Sequence, residues 1–544
     1  MAIKIQKIDA THVSLFVLVV LTLLCLAPFA GKSFNIDEPL FIWVAHQIQA
    51  HPLDFYGFRI NWYGYEMSAA EVIKNPPAAS YFIALSAAIG GLGETLHYAF
   101  LLPALAAVTG TYFLAREITQ NPLTATLISM LTPVFMLSSS TVMCDTMMLA
   151  AYVWAVTLWV RGMRRNSYAD LIFASFLIAL SSLTKYYGMS LIPLLLLYSL
   201  FSKNGGKQRV LLLLLPVAIL CTYQWGTKYL YGRGLLLDAA EYATSTNKYA
   251  WQNMLSSILT GLSFTGGCLV PTLFFAPRLW GRRALLAWVT LIPLLALVLS
   301  QLDLPTRPKG ASWGYFLQLA LFIVAGIHLG VLAGRDLWES RDSESLLLFL
   351  WFFGTFVFAA FVNWTVNGRS ILPMVPVAGI LVIRALVGRE HEEEEIKLMR
   401  SWSVAGPLVC AWLISMMVMW ADYSLAGTTR KAAEVIVQNY GKVSKPLFFQ
   451  GHWGFQYYME KNGAVALDVN KLPFPSGRII VMPENNTNAI AQASFLTVLQ
   501  FAPVRFLTIV NKDVGAGYYS SIWGALPFAF GNVPDEKYYI AILQ

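Results

Sequence analysis

The chain is a succession of long apolar runs separated by short polar loops. About 20 apolar residues bridge the hydrocarbon core of a bilayer as a helix, and within that core every backbone amide and carbonyl must find its partner inside the protein. A chain built largely of such runs is restricted to a bundle of membrane-spanning helices. Composition agrees: 57% of the residues are hydrophobic, 12% are charged and the mean hydropathy is +0.57. A soluble enzyme with one anchor is excluded. In a soluble protein a net charge of +8 would point to nucleic acid. Here the excess Arg and Lys lies in short loops, as topology demands, and no nucleic-acid partner is implied. The five cysteines, Cys25, Cys144, Cys221, Cys268 and Cys410, lie in or beside apolar runs without CxxC spacing. They read as small buried side chains, not as a zinc site or a disulfide framework.

Lys4 and Lys7 precede the first run, at about 13–30, which reads as an uncleaved helix with a cytoplasmic N-terminus; Pro28 and Ala30 make a poor signal-cleavage site. Residues 79–94 are apolar but short and broken by Gly90, Gly91 and Gly93, which suits an interfacial or re-entrant helix. Parity depends on that segment. If it does not cross, the runs at 98–116 and 122–140 go in and out again and bring Asp145 to the same face as Asp37 and Glu38. Ten more runs, ending at about 402–420, give thirteen spans. The clusters Arg161, Arg164 and Arg165; Lys203, Lys207 and Arg209; Arg278, Arg282 and Arg283; and Arg384, Arg389, Lys397 and Arg400 then all fall inside. The acidic run from Glu390 to Glu395 reads as a solvated inner loop.

An odd number of spans leaves the segment after 420 outside. From about 424 the pattern changes to an amphipathic helix in TTRKAAEVIVQNY, a strand in PLFFQ, a turn and helix in GHWGFQYYMEKNG and a strand in GRIIVMP. The expected fold class is therefore mainly α and polytopic, with residues 1–423 as the membrane domain and 424–544 as a small extracytoplasmic α/β domain of roughly 120 residues.

Candidate functional residues gather in the first outer loop, 31–97. Asp37 and Glu38 stand side by side just beyond the first span, a pair able to take a proton from a hydroxyl or to help hold a divalent cation, and Arg59 and Lys74 are cations able to meet a phosphate. The competing reading makes Asp37 the N-cap of a helix over 39–50, with Pro39 in its first turn. The same face carries Asp145, Lys185 with Tyr186 and Tyr187, a 227–253 loop with Asp238, Glu241 and Lys248, and Arg369 in NGRSILPMVP. Single charges at span ends commonly serve as anchors; their joint placement on one face favours a site. Trp43, Tyr56, Trp62, Tyr63 and Tyr65 suit an interfacial belt, or, for Trp62 and Tyr63, stacking on a sugar. His46 and His51 lack metal-ligand spacing.

The order of these features resembles the GT-C membrane glycosyltransferases. They run from an N-terminal span through Asp37-Glu38, Pro76-Pro77 before a short apolar helix, Asp145 two spans later, Lys185-Tyr186, and Arg369 before an apolar Leu-Pro run, to an outer domain. Within that group the likeness is to the family 39, or dolichyl-phosphate-mannose-protein mannosyltransferase-like, branch that contains protein O-mannosyltransferases and the lipid A aminoarabinose transferase. It covers about residues 10–420. The resemblance implies a GT-C-type bundle that transfers a sugar from a polyprenyl-phosphate donor to a hydroxyl of a glycolipid, glycan or protein, with inversion, in a bacterial inner membrane. Asp37 would be the base or its partner, Glu38 and Asp145 further acids, Lys185 and Arg369 ligands of the donor phosphate, and Tyr186 a substrate contact. A divalent cation on Asp37, Glu38 and Asp145 is left open. Relatives place a basic residue directly before the double proline, whereas here Asn75 stands there and Lys74 one step earlier; on a helix that step turns a side chain by about 100°. The alternative function is a polytopic transporter or flippase, for which charged mid-membrane segments and inverted repeats would be expected.

Overall fold

The computed structural model describes residues 10–203, 206–246, 253–387, 402–471, 476–487 and 493–544. Lys248, Arg389, Lys397, Arg400 and the acidic run from Glu390 to Glu395 lie outside the described residues. The protein is a multi-pass helical membrane protein with a small α/β domain. Among the described residues nine single helices have the length and apolarity of a span, eleven if each of two bent pairs counts as one. Every one of the thirteen apolar runs is helical, but Tyr168–Thr184 and Tyr186–Phe201 are shorter than a full span. The helix Ala78–Gly90 has 13 residues, about 20 Å at 1.5 Å per residue, too short to cross. It packs instead beside Glu38–Ala50, where the Gln49 amide donates to the Ala84 carbonyl (3.1 Å).

Proline sets the breaks. Pro122–Met130 and Pro133–Ser139 meet at 69°, and Pro271 lies at a second bend of 71°. The first break delivers an irregular segment, Ser140 to Met143, into the buried interior just ahead of Asp145. Its backbone is tolerated there because side chains supply the missing partners: Ser140 and Thr141 bond back to Leu137 and Ser138, and Glu38 takes the Val142 amide.

Small residues let the helices close on one another, as expected where apolar burial between lipid-like surfaces gives little drive. Met254–Cys268 and Trp313–Ser340 touch through Gly266 and Gly326; a Cβ at Gly266 would lie 1.8 Å from the Phe322 carbonyl oxygen. The helix Cys144–Arg165 has 22 residues, about 33 Å, and separates two chemically different ends. Asp145 opens one end. At the other, Arg164 bridges Glu117 and Glu344, Arg384 pairs with Asp336, and Arg209 bonds Asn166, so members of three of the basic clusters gather there.

The last membrane helix departs from expectation. Instead of a span followed by a separate amphipathic helix, Trp402–Tyr440 is one helix of 39 residues, about 58 Å. Its length beyond the bilayer carries Ala432, Ala433 and Ile436 into the core of the α/β domain. That domain is a five-stranded sheet in the order 465–466, 448–449, 479–483, 536–543, 493–501, with the helix Trp453–Lys461 crossing between its first two parallel strands. Residues 504–533, which the sequence assigns to the outer domain, leave that sheet and pack into the helical bundle: Leu507, Tyr518, Tyr519 and Phe528 belong to the membrane-domain core.

Candidate active site

Each charged side chain of the pocket is delivered by an interruption of a helix. Asp37 ends a turn in which Ile36 has φ +49°, a left-handed conformation that a β-branched residue adopts at a cost of roughly 1–3 kcal/mol. Asp37 does occupy the N-cap position of Glu38–Ala50, yet its carboxylate makes no capping bond. It pairs instead with Arg369 (Nη1 to Oδ2, 2.9 Å). Arg369 follows Asn367, whose side chain caps the short helix Gly368–Ile371 by accepting from the Ser370 amide (2.8 Å). Lys185 is extended (φ −151°, ψ 131°) between Thr184 and a 3-10 turn, so its amine reaches Asp145 at 2.5 Å. Lys74 lies on the non-helical stretch after Ile73, which removes the rotation penalty of a helix, and pairs with Asp238 of Leu235–Thr246 at 2.5 Å.

Asp37, Lys74, Asp145, Lys185 and Arg369 line one cavity of about 360 Å³ with Trp62, Tyr63 and Tyr186. Much of the remaining wall is apolar, from Leu40, Phe41, Val44, Leu236, Ala239, Phe358 and Val362, with Asn75, Ser80, Asn363 and Asn367 adding polar groups. Asp37 is the accessible acid, with 27% of its side chain exposed against 1% for Asp145. The second oxygen of Asp145 is buried and has no hydrogen-bond partner. Burial pushes the Tyr63 phenol well above its ordinary value, with Tyr242 and Asp37 adding to the shift, so it stays a donor. Tyr56 and Trp62 are buried, so they are not belt residues. Tyr186 meets the Tyr223 hydroxyl (3.1 Å).

Two residues expected at the site lie elsewhere. Arg59 is on the hairpin Arg59–Asn61/Glu66–Ser68, where it donates to the Glu66 carbonyl (2.9 Å) and lines a separate cavity of about 450 Å³ against the α/β domain. Glu38 faces away from Asp37 because helix residues one apart point in different directions. It is fully buried and committed on both oxygens: Oε2 accepts the Asn35 amide (2.6 Å), and Oε1 the Val142 amide (2.7 Å) and meets His97 Nε2 (3.1 Å). Glu38 thereby ties the loop of Asp37 to the loop of Asp145. As a cation site the three acids are not gathered: Glu38 is turned away into the interior with both oxygens hydrogen-bonded, Asp37 and Asp145 each pair one oxygen with a cation, and the described residues contain no metal-ligating group of three.

Sequence reasoning missed the residues beneath the pocket. Lys32 bonds Asp422 (2.8 Å) and lies 3.8 Å from Glu38, all three buried, and Tyr519 donates to Asp422 (3.3 Å). A signal existed: a lysine just past the first span on the non-basic face, and an aspartate at the end of the last apolar run, are each costly to leave unpaired in a membrane protein. The Arg369 loop is clamped by the same inserted segment. The Gly368 amide donates to the Tyr518 carbonyl (2.7 Å) and the Ser521 amide to the Val366 carbonyl (2.8 Å). A Cβ on Gly368 would lie 2.3 Å from the Tyr518 ring. Gly368→Ala is therefore expected to cost about 1–3 kcal/mol, read as a lower thermal midpoint of the purified protein; an unchanged midpoint would mean that the ring yields freely.

Residues 74–225, which hold Lys74, Asp145, Lys185 and Tyr186, match the family described as dolichyl-phosphate-mannose-protein mannosyltransferase. Over this segment the chain is similar to a family of membrane glycosyltransferases. Asp37 and Arg369 lie outside the matched stretch. No curated protein matches the chain. Among solved structures it is similar to the archaeal oligosaccharyltransferase AglB from Archaeoglobus fulgidus, in complex with an inhibitory peptide and a dolichol-phosphate. That likeness has 12% identity and a TM-score of 0.45, over 85% of this chain and 61% of that one, so the chain spans under two thirds of AglB's length. ArnT from Cupriavidus metallidurans is similar in its apo state at 15% identity and a TM-score of 0.43, over 90% of this chain and 97% of that one. Bound to undecaprenyl phosphate, the same protein gives 15% and 0.43 over 88% and 94%.

Proposed function

We propose that this protein is an integral membrane glycosyltransferase of the GT-C type that moves a sugar from a polyprenyl-phosphate donor to a hydroxyl acceptor, with inversion at the anomeric carbon. What carries the reading is the convergence of two carboxylates and three cations on one cavity whose wall is otherwise largely apolar. A polyprenyl phosphate has that same division, a charged head on an apolar tail. The acceptor hydroxyl gives its proton to Asp37 as its oxygen bonds to the anomeric carbon. The bond from that carbon to the phosphate oxygen breaks, and the leaving phosphate takes the electron pair. Lys185, Arg369 and Lys74 stabilise the charge that develops there, in a site partly shielded from water. Each cation is now held by a carboxylate, and the phosphate replaces that partner on entry. Trp62, Tyr63 and Tyr186 supply faces and hydroxyls to the sugar.

By the positive-inside rule the basic ends and the N-terminus lie in the cytoplasm, so the cavity opens on the outer face of the plasma membrane, the inner membrane in a bacterium. The acceptor, a glycolipid, glycan or protein, approaches from the side of the first loop and the α/β domain. The test is transfer by purified protein in liposomes, offered a panel of labelled polyprenyl-phosphate sugars with membrane extract as acceptor. The expected result is label leaving at least one donor for an acceptor with inverted linkage. No transfer from any donor, with substrate moving across the bilayer instead, would replace this reading by a transporter.

A further inference from the structure

Arg369, the cation that touches Asp37, rests on a residue contributed by the last tenth of the chain. Its guanidinium carbon lies 5.4 Å from the centre of the Tyr519 ring. That ring is buried and fixed at three points. Its hydroxyl donates to Asp422 Oδ1 (3.3 Å), Asp422 is held by Lys32, and the backbone on either side is tied to the Arg369 loop through Tyr518 and Ser521. Thr365, four residues before Arg369, adds side-chain contacts to Ser520 (3.1 Å) and Ser521 (3.0 Å).

A guanidinium stacked on an aromatic face keeps its edge N–H groups available, so stacking fixes the plane of the cation without using the donors that a phosphate needs. In this structure the edge makes contact with Asp37 (2.9 Å) and the Met143 sulfur (3.4 Å). We propose that Tyr519 is a positioning residue for Arg369, and that the 504–533 excursion thereby makes the C-terminal domain a structural part of the catalytic pocket rather than only an acceptor-binding cap. The proposal rests on the reading above in so far as Arg369 meets the donor phosphate.

Three variants separate the ring from its anchor: Tyr519→Phe keeps the face and loses the bond to Asp422, while Tyr519→Leu and Tyr519→Met lose the face. The expected result is a donor KM raised about tenfold by Leu and Met, with acceptor KM nearly unchanged, and a far smaller change for Phe. In an Arg369→Gln background the Leu and Met changes add nothing further. Equal effects on donor and acceptor KM, or a full effect persisting without Arg369, would reduce Tyr519 to a packing residue and overturn the proposal. Should Leu fail to fold, Met, which fills a similar volume, gives the same comparison. A structure of the Leu or Met variant decides the matter independently of the donor's identity: the proposal requires Arg369 to leave its 2.9 Å contact with Asp37, and an unmoved Arg369 would sink it even if transfer were lost. A native protein that transfers nothing from any donor overturns the functional reading and leaves that structural comparison standing.

Discussion

Lys32→Met is expected to lower the stability of the protein by about 3–5 kcal/mol, the usual cost of removing one partner from a buried ion pair. Lys32 is the cation shared by two fully buried carboxylates, Asp422 and Glu38, and its loss leaves both with hydrogen bonds but without that cation. The damage should spread to the pocket, because Glu38 holds the Asn35 and Val142 amides and so the loops of Asp37 and Asp145. Thermal unfolding in detergent reads the effect, and Lys32→Met with Asp422→Leu should recover part of it; a native-like midpoint in the single variant would show that water reaches the network. The pH dependence has a definite sign. Burial pushes the Glu38 carboxyl up, but Lys32, then His97 and the Val142 amide, more than offset it and leave it below its ordinary 4.5. Its stabilisation is therefore present above that ordinary value and lost as pH falls through the lowered one. Burial likewise pushes the Lys32 amine down, while Asp422 and Glu38 more than offset it and hold it above 10.5. That contribution is present below 10.5 and lost only as pH rises through the raised value. A Glu38→Gln variant should accordingly melt well below native at neutral pH and approach it in strong acid.

The bundle was legible because bilayer thickness turns hydropathy directly into helices. The placement of Asp37 and Asp145 together followed from parity, which turned on reading the short 79–94 segment as non-crossing, and from basic loops that all belong at one end. What could not be read is pairing over distance. Lys32 and Asp422 are 390 residues apart, and no local pattern states that the two costs cancel. Asp37 has every local mark of an N-cap and sits at that position, but a tertiary partner, Arg369, takes its carboxylate. Glu38 looks equivalent to its neighbour in sequence, yet one step along the chain turns it into the protein interior. Arg59 is lost to a hairpin whose strands are three residues each, too short to give an alternating pattern. The uncharged stretch from Val514 to Pro534 is a compositional sign that residues 504–533 return to the membrane domain; it resembles neither a span nor a soluble strand, so hydropathy alone does not place it.

Asp37→Asn keeps the size of the side chain and a hydrogen bond from Arg369 while removing the base. Transfer should fall by about 10²–10⁴-fold, the range associated with a positioned general base. Donor affinity should hold or tighten, because Arg369 is relieved of its carboxylate partner and free to meet a phosphate. Loss of the same group from a merely structural position would instead lower stability and donor binding together. The most direct measurement is single-turnover transfer at saturating donor and acceptor, native against Asp37→Asn, with donor binding measured on the same preparations. The expected outcome is a chemical step slowed by about 10²–10⁴-fold with donor bound at least as tightly as in the native protein. A native rate of transfer in Asp37→Asn would contradict the assignment of this pocket as the place where the acceptor hydroxyl loses its proton.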